Sequence, residues 1–523
     1  MAKKSVVKQK ILANMPQVFL STREISDKLA STLKRGDIRK IGPRLYTTDI
    51  VSTPAEVIRR NLWVVLDLLF PNSVIAHRTA LETKPTPDGT VFLSAPYTRT
   101  VKLPGHSIRL IEGPGPLEGD VQFIQNLWIS SKPRAFLENL LSSRNRSGVA
   151  RAVPRAEIER LLDRTLSISG PDELNRIRDT ARTLAPALNA ESAFSILDDM
   201  IGTLLGTRSA SVTAPTAIAR VAGRPYDANR LPLFDALVAE LRQMNAIPRP
   251  EHNLSTRAKQ NLAFVDAYFS NYIEGTEFEI DEAIEIVFEN KIPVRRPEDA
   301  HDVLGTYHLL VDDVEMHRSA TAYLENFDGL IALLKRRHAR MMEARPDIRP
   351  GEFKTEGNRA GGTPFVAPEL VLGTLEKGFA YFRALETPFA RATFLMFLVT
   401  EVHPFTDGNG RIARVMMNAE LAAAGESRVI IPTVYRDSYI QALRNLSRET
   451  HVSTLVEMVD FAQRFTALLD FHALPDTLAQ LTACNAFLDP REDRLLLPTS
   501  RIVIDRLKGG QNRGANEQSF RPQ

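Results

Sequence analysis

The sequence predicts a multidomain, mainly α protein, and three observations carry that prediction. Its 523 residues exceed one core, since a domain runs to about 150 residues. Hydrophobic residues are 43% and charged residues 25%, ordinary globular usage that excludes wholesale disorder and fibrous repeats. Apolar residues recur at helical spacing along most of the chain, while short β runs concentrate before residue 150.

Taken in order, residues 1–50 read as a winged-helix-like domain. Val7, Ile11 and Leu12 give a helical stripe stopped by Pro16. Ser21 and Glu24 are spaced as a capping box for a second helix through Ile25, Leu29 and Leu33, ending at Gly36. Ile38 to Ile41 and Leu45-Tyr46 flank Gly42-Pro43 as a two-stranded wing. Residues 51–150 read as an α+β unit. Thr53-Pro54-Ala55-Glu56 combines N-cap, first-turn proline and capping-box glutamate, opening a helix that runs to Phe70. Strands follow at Val91–Ala95, Thr100–Leu103 and Ile108–Ile111. Residues 151–250 read as a helical spacer and linker, with Gly206–Arg230 irregular and a helix over Leu233–Met244. Residues 251–470 hold the chemistry described below, and 471–523 form a C-terminal extension whose end, after Gly509, reads as disordered.

Lysine plus arginine number 66 against 63 acids, a net charge of +3. The imbalance is local: residues 1–50 carry +7 and the remainder −4. That pattern suits a polyanion such as duplex DNA at the N-terminal end, and equally a solvated docking face. Cys484 is the sole cysteine, so no intramolecular disulfide forms and a reducing, cytoplasmic setting is expected. The charged start leads to Asn14 and Pro16 without a small-residue cleavage site, so no signal peptide is expected. The strongest apolar run, Phe394–Val399, ends at Thr400-Glu401, far short of a membrane span, so no membrane association is expected.

The most informative segment is His403-Pro404-Phe405-Thr406-Asp407-Gly408-Asn409-Gly410-Arg411-Ile412-Ala413-Arg414. An apolar helix from Phe389 to Val402 ends where Pro404 disfavours helical geometry, which presents His403 beside a loop. Gly408-Asn409-Gly410 then enters a second helix, so backbone N–H groups and the helix dipole favour an anion there. Arg411 and Arg414 can add charge-assisted bonds to phosphate oxygens, and Asp407 can hold Mg²⁺ together with those phosphates. These parts suggest a nucleotide triphosphate site with a base beside it.

The segment matches, at every specified position, the Fic-family signature His-Pro-Phe-x-Asp/Glu-Gly-Asn-Gly-Arg-x-x-Arg, and residues 251–470 resemble that family. The resemblance implies an all-α Fic domain with a small β-hairpin flap, and transfer of AMP from ATP to a Ser, Thr or Tyr hydroxyl of a target protein, itself included. It also implies roles. His403 is the general base, with an ordinary pKa near 6.5. Asp407 holds Mg²⁺; Gly408, Asn409, Gly410 and Arg411 cradle the phosphates; Arg414 grips the γ-phosphate. Gly361, Gly362, Thr363, Pro364 and Phe365 form a flap that holds the target by strand addition. Ser270-Asn271-Tyr272-Ile273-Glu274-Gly275 matches the family's inhibitory signature, in which Glu274 pairs with Arg414. Relatives also use other nucleotides, transfer phosphocholine or remove AMP, and the motif does not separate these because it reads phosphates rather than bases. The first 150 residues resemble the winged helix and following α+β unit of the AbiEi-like antitoxin family. That resemblance implies a DNA-binding regulator in which the Fic domain senses or docks, as the rival reading. Self-association stays open, a homo-oligomer being among the partners considered.

Overall fold

The computed structural model describes residues 16–22, 26–141, 149–251, 254–360 and 363–507. The helical stripe expected at Val7–Leu12, the Glu24 half of the capping box and the tail after Gly509 lie outside them. The chain divides into two compact units, Met1–Ala222 and Gly223–Gln523.

In the first unit, β1 (Val18–Leu20), α1 (Ser26–Lys34), β2 (Arg39–Gly42) and β3 (Leu45–Thr47) come first. The expected wing strands are β2 and β3; β1 pairs on the other edge of β3, giving the order β1-β3-β2. Three-residue β1 carries no alternation long enough to read. Next come α2 (Pro54–Arg60), α3 (Leu62–Leu69), β4 (Val74–Ile75) and α4 (His77–Glu82). Thr53 accepts from Glu56 N and Glu56 reaches back to Thr53 N at 2.8 Å, closing the capping box read from sequence. The helix expected to run unbroken to Phe70 is two, because Asn61 leaves helical geometry at φ −114° and ψ 21°.

β5 (Thr90–Ala95), β6 (Arg99–Leu103), β7 (His106–Glu112), β8 (Val121–Ile124) and β9 (Leu127–Ile129) complete a six-stranded sheet of order β6-β7-β5-β4-β9-β8. β5 runs parallel to β7 with Leu93 opposite Leu110, and all of its residues are buried, as befits a central strand. Val18, Ile41 and Leu45 share one core with Val57, Leu93 and Ile108, so no break in packing falls at residue 50. α5 (Lys132–Leu140), α6 (Arg155–Leu184), α7 (Glu191–Leu204) and α8 (Pro215–Val221) close the unit around Leu162, Leu197 and Ala217. α6 kinks at Gly170-Pro171, where Gly170 has φ 77°.

Among its described residues the second unit is helical apart from one hairpin and an isolated bridge between Pro250 and Glu426. It contains α9 (Leu231–Gln243), α10 (Thr256–Ile273), α11 (Ile280–Glu289), α12 (Pro297–Leu310), α13 (Asp313–Met316) and α14 (Phe327–Met341). The hairpin β10 (Arg359–Ala360) and β11 (Thr363–Pro364) follows, then α15 (Val371–Arg383), α16 (Pro388–Val402), α17 (Asn409–Ala423), α18 (Arg436–Glu449), α19 (Ser453–Ala467) and α20 (Leu474–Ala483). α16 is buried along nearly its whole length and runs through the middle of the unit, with Phe394, Phe397 and Leu398 buried. Leu233, Phe234 and Leu237 of α9, and Leu481, Cys484 and Val503 near the C-terminus, belong to the same core. The stretch 151–250 expected as one spacer is therefore divided between the two units, and much of 471–523 is packed rather than appended. Among the described residues no helix is long and apolar enough to cross a membrane.

Candidate active site

α16 starts on Thr387, whose hydroxyl caps Ala390 N, and stops at His403, which adopts the left-handed conformation at φ 53° and ψ 60°. Pro404 makes continuation of the helix unfavourable, so the chain turns out and the imidazole faces a cavity. Nδ1 of His403 lies 3.2 Å from the Thr400 carbonyl. A carbonyl only accepts, so the proton belongs on Nδ1 and the lone pair on Nε2. Burial pushes the His403 pKa down to about 4, against the ordinary value expected from sequence. The ring is a neutral acceptor at pH 7, as a base requires, and a weaker one than a free histidine.

The loop after His403 is built from its own side chains. Asn409 Oδ1 accepts from Phe405 N at 2.8 Å and its Nδ2 donates to Phe405 O at 2.9 Å. Both ends of that buried amide are spent on the loop, so Asn409 fixes the turn that leads into α17. Phe405 is buried and stacks on His338 at 3.7 Å and 3°. His338 accepts from Gly351 N through Nδ1 at 3.0 Å and donates through Nε2 to the Asp407 carbonyl at 2.9 Å. Gly408 caps α17 with φ 74°, a conformation that costs a residue with a Cβ but not glycine.

The two arginines of the motif point to different partners. Arg411 is buried, 2.5 Å from Asp302 of α12 and 3.4 Å from Asn271 Oδ1. Desolvating a cation needs a buried anion, and Asp302 supplies it beneath the loop, while Nη2 of the same guanidinium lies 3.4 Å from Asp407 Oδ2. Arg414 faces the cavity side. It donates from Nε to Ser270 Oγ at 2.9 Å, and from Nη2 to the Ser270 carbonyl at 2.8 Å and Glu274 Oε1 at 2.6 Å. Ser270 lies in the last turn of α10 and Glu274 is its C-cap, one turn on, which is why one guanidinium reaches both. A Cβ at Gly410 would lie 2.1 Å from Glu274 Oε1, so the carboxylate rests on the first turn of α17, where an anion is favoured.

The cavity, of about 260 Å³, is lined by His403, Gly410, Arg414, Glu274 and Phe365, with Ile440 and Leu443 of α18 as an apolar wall. Over it stands the hairpin, Arg359 opposite Pro364 and Ala360 opposite Thr363. Gly361 and Gly362 of the expected flap lie outside the described residues. Phe365 stacks on His403 with ring centroids 3.7 Å apart and planes within 4°. Asp407 is half-exposed; its Oδ1 accepts from Gly408 N at 2.7 Å and its Oδ2 from Arg411 Nη2 at 3.4 Å. A single accessible carboxylate of this kind fits Mg²⁺ that arrives bound to phosphates.

Thus His403, Gly410, Arg414, Glu274 and Phe365 meet at one cavity, while Asn409 and Arg411 build its floor. Sequence reasoning missed four contributors. Asp302 and His338 act through contacts distant in sequence and carry no local pattern. Lys354 is buried with Nζ 2.6 Å from Asn358 Oδ1, and burial lowers its pKa to about 8. Arg230, in the stretch read as a linker, pairs with Glu401 and donates to the Pro364 carbonyl at 3.1 Å.

Residues 328–421 match the model of the Fic/DOC family. Among curated relatives, the protein adenylyltransferase Fic of Drosophila yakuba is 25% identical over 39% of this chain and 41% of its own length. The protein adenylyltransferase fic-1 of Caenorhabditis briggsae is 31% identical over 24% of each chain. This chain therefore spans less than half the length of those curated relatives. Among solved structures, a fragment of Fic-1 from C. elegans is 20% identical, covers 59% of this chain and 94% of its own, and superimposes with a TM-score of 0.35.

Proposed function

We propose that the second unit transfers AMP from ATP to a hydroxyl of a target protein, and that the conformation described is its arrested form. The observation that carries the reading is the convergence at one cavity of the neutral Nε2 of His403 and the N-terminus of α17, with Arg414 held by Glu274. The relatives' name, protein adenylyltransferase, supports the same chemistry.

The chain's residues divide the work. His403 Nε2 accepts the proton of the incoming hydroxyl as that oxygen attacks the α-phosphorus, and pyrophosphate leaves. The N–H groups at the start of α17 hold phosphate oxygens in a fixed, water-poor setting. Asp407 would hold Mg²⁺, which neutralises phosphate charge when bound. Freed from Glu274, Arg414 would align the γ-phosphate, so that the leaving group lies in line with attack. With Glu274 in place, that guanidinium is spent and a carboxylate occupies ground an anion needs.

Incubating the full chain with labelled ATP and Mg²⁺, with and without Glu274→Gly, tests donor, transfer and arrest together. Label appearing on protein in Glu274→Gly and absent in His403→Ala supports the reading; equal labelling of the two sinks it.

The first unit favours a second activity, binding of duplex DNA, on the observation that Lys40 and Arg44 are exposed along the β2–β3 wing. A mobility shift by residues 1–222 on duplex DNA at low salt checks it.

A further inference from the structure

Phe365 follows β11 directly, yet its position is set from both flanks. Its N–H donates to the Asn358 carbonyl at 3.2 Å, and Asn358 Nδ2 donates to the Phe405 carbonyl at 3.0 Å. Lys354 N donates to the Pro404 carbonyl at 2.9 Å, tying the strand approach to the motif loop a second time. On the other side Arg230, itself braced by Asp227 at 3.2 Å and by Glu401, holds the Pro364 carbonyl. The ring so placed lies flat on the imidazole of His403. One face of the imidazole is thereby denied to water, and rotation out of its plane is blocked.

We propose that Phe365 is a positioning residue for His403, fixing the plane in which the Nε2 lone pair points. The proposal rests on the reading of this site as one of AMP transfer. Water removed from the imidazole face destabilises the imidazolium, in keeping with the depressed pKa. The charged groups facing His403 act in both directions: Lys354 lowers its basicity, while Glu274 and Asp407 raise it. The Thr400 carbonyl holds Nδ1–H. Without the Phe365 ring over it, the imidazole would rehydrate, be protonated more readily and lose its fixed direction.

Carbethoxylation of the full chain by diethyl pyrocarbonate, mapped to His403 by peptide mass spectrometry from about pH 5.5 to 8, reads accessible neutral imidazole directly. The native chain should label slowly and at a rate that does not change with pH, because His403 stays neutral throughout. Phe365→Ala should label several-fold faster, its rate falling below about pH 6.5 as the uncovered ring takes up a proton. Phe365→Tyr, which keeps a planar ring, should restore the native behaviour and, in the transfer assay, the kcat that Phe365→Ala loses. If Phe365→Ala does not fold, Phe365→Leu, bulky but not planar, is read in the same way. Identical rates and pH dependence with and without the ring overturn the proposal, as does a native rate that already falls below pH 6.5. The labelling needs neither nucleotide nor target. Ring-dependent labelling in a chain that transfers nothing would remove the AMP-transfer reading alone, and transfer with ring-independent labelling would remove only this one.

Discussion

His338 ties Gly351 to the Asp407 carbonyl and underlies Phe405, so one buried neutral imidazole holds three stretches of chain together. Burial lowers its pKa to about 4. The unfolded chain takes up this proton near pH 6.5 and the folded chain only near pH 4. The stability His338 confers is therefore complete above about pH 6.5 and falls as pH drops toward 4, by up to about 3 kcal/mol. Denaturant titrations of the native chain and His338→Gln across that range should show a shallower acid slope in the variant. Asp302→Ala strips the buried Arg411 of its close partner, leaving only Asp407 at 3.4 Å, and should destabilise by about 3 kcal/mol, with Asp302→Asn costing less. Chemical denaturation measures both. His403→Ala should abolish transfer and leave ATP affinity nearly unchanged, because the base meets the incoming hydroxyl while phosphates are held at α17. Calorimetric binding with a transfer assay separates the two effects.

At the scale of elements, α10 delivers Glu274 to α17 and is held there along its length. Asp266 accepts from Asn418 Nδ2 at 2.8 Å, and Arg436 donates to the Ile273 carbonyl at 3.1 Å beside the helix end. The helix thus places Glu274 firmly, and the carboxylate itself is the removable part. Misplacing a phosphate by about 1 Å costs on the order of 100-fold in rate, so Glu274→Gly should raise transfer by that order with a smaller change in ATP affinity. Arg414→Ala removes both the partner of Glu274 and the phosphate clamp, and adding Glu274→Gly should not rescue it. Initial rates of the single and double variants decide this, and recovery in the double variant would show that Arg414 serves only to hold Glu274.

At the scale of the whole molecule, every residue named at the cavity comes from Gly223 onward, Arg230 included. A chain beginning at Gly223 and carrying Glu274→Gly should keep its transfer rate within a few-fold of the full-length variant. Loss of activity in that well-folded fragment would place an essential group in the first unit. The first unit, by the same division, should carry any affinity for duplex DNA, weakening steeply as salt rises because phosphate contacts release counterions.

What the sequence by itself determined were features whose causes are local. The turn at His403-Pro404, the glycines opening α17, the capping box at Thr53 and Glu56, and the one-turn spacing of Ser270 and Glu274 all follow from residues within five positions of one another. Strands β5 to β7 were legible because each alternates or branches over several residues between turns, whereas two-residue β4 and three-residue β1 offer no period. Tertiary structure alone decided the rest: that Arg411 turns down to Asp302, that His338 supports the motif loop, that Arg230 leaves an apparent linker to reach the Pro364 carbonyl, and that Phe365 covers His403. A buried charge or imidazole takes its partner from whatever element packing brings alongside, and that choice is made by the close fit of helices distant in the chain.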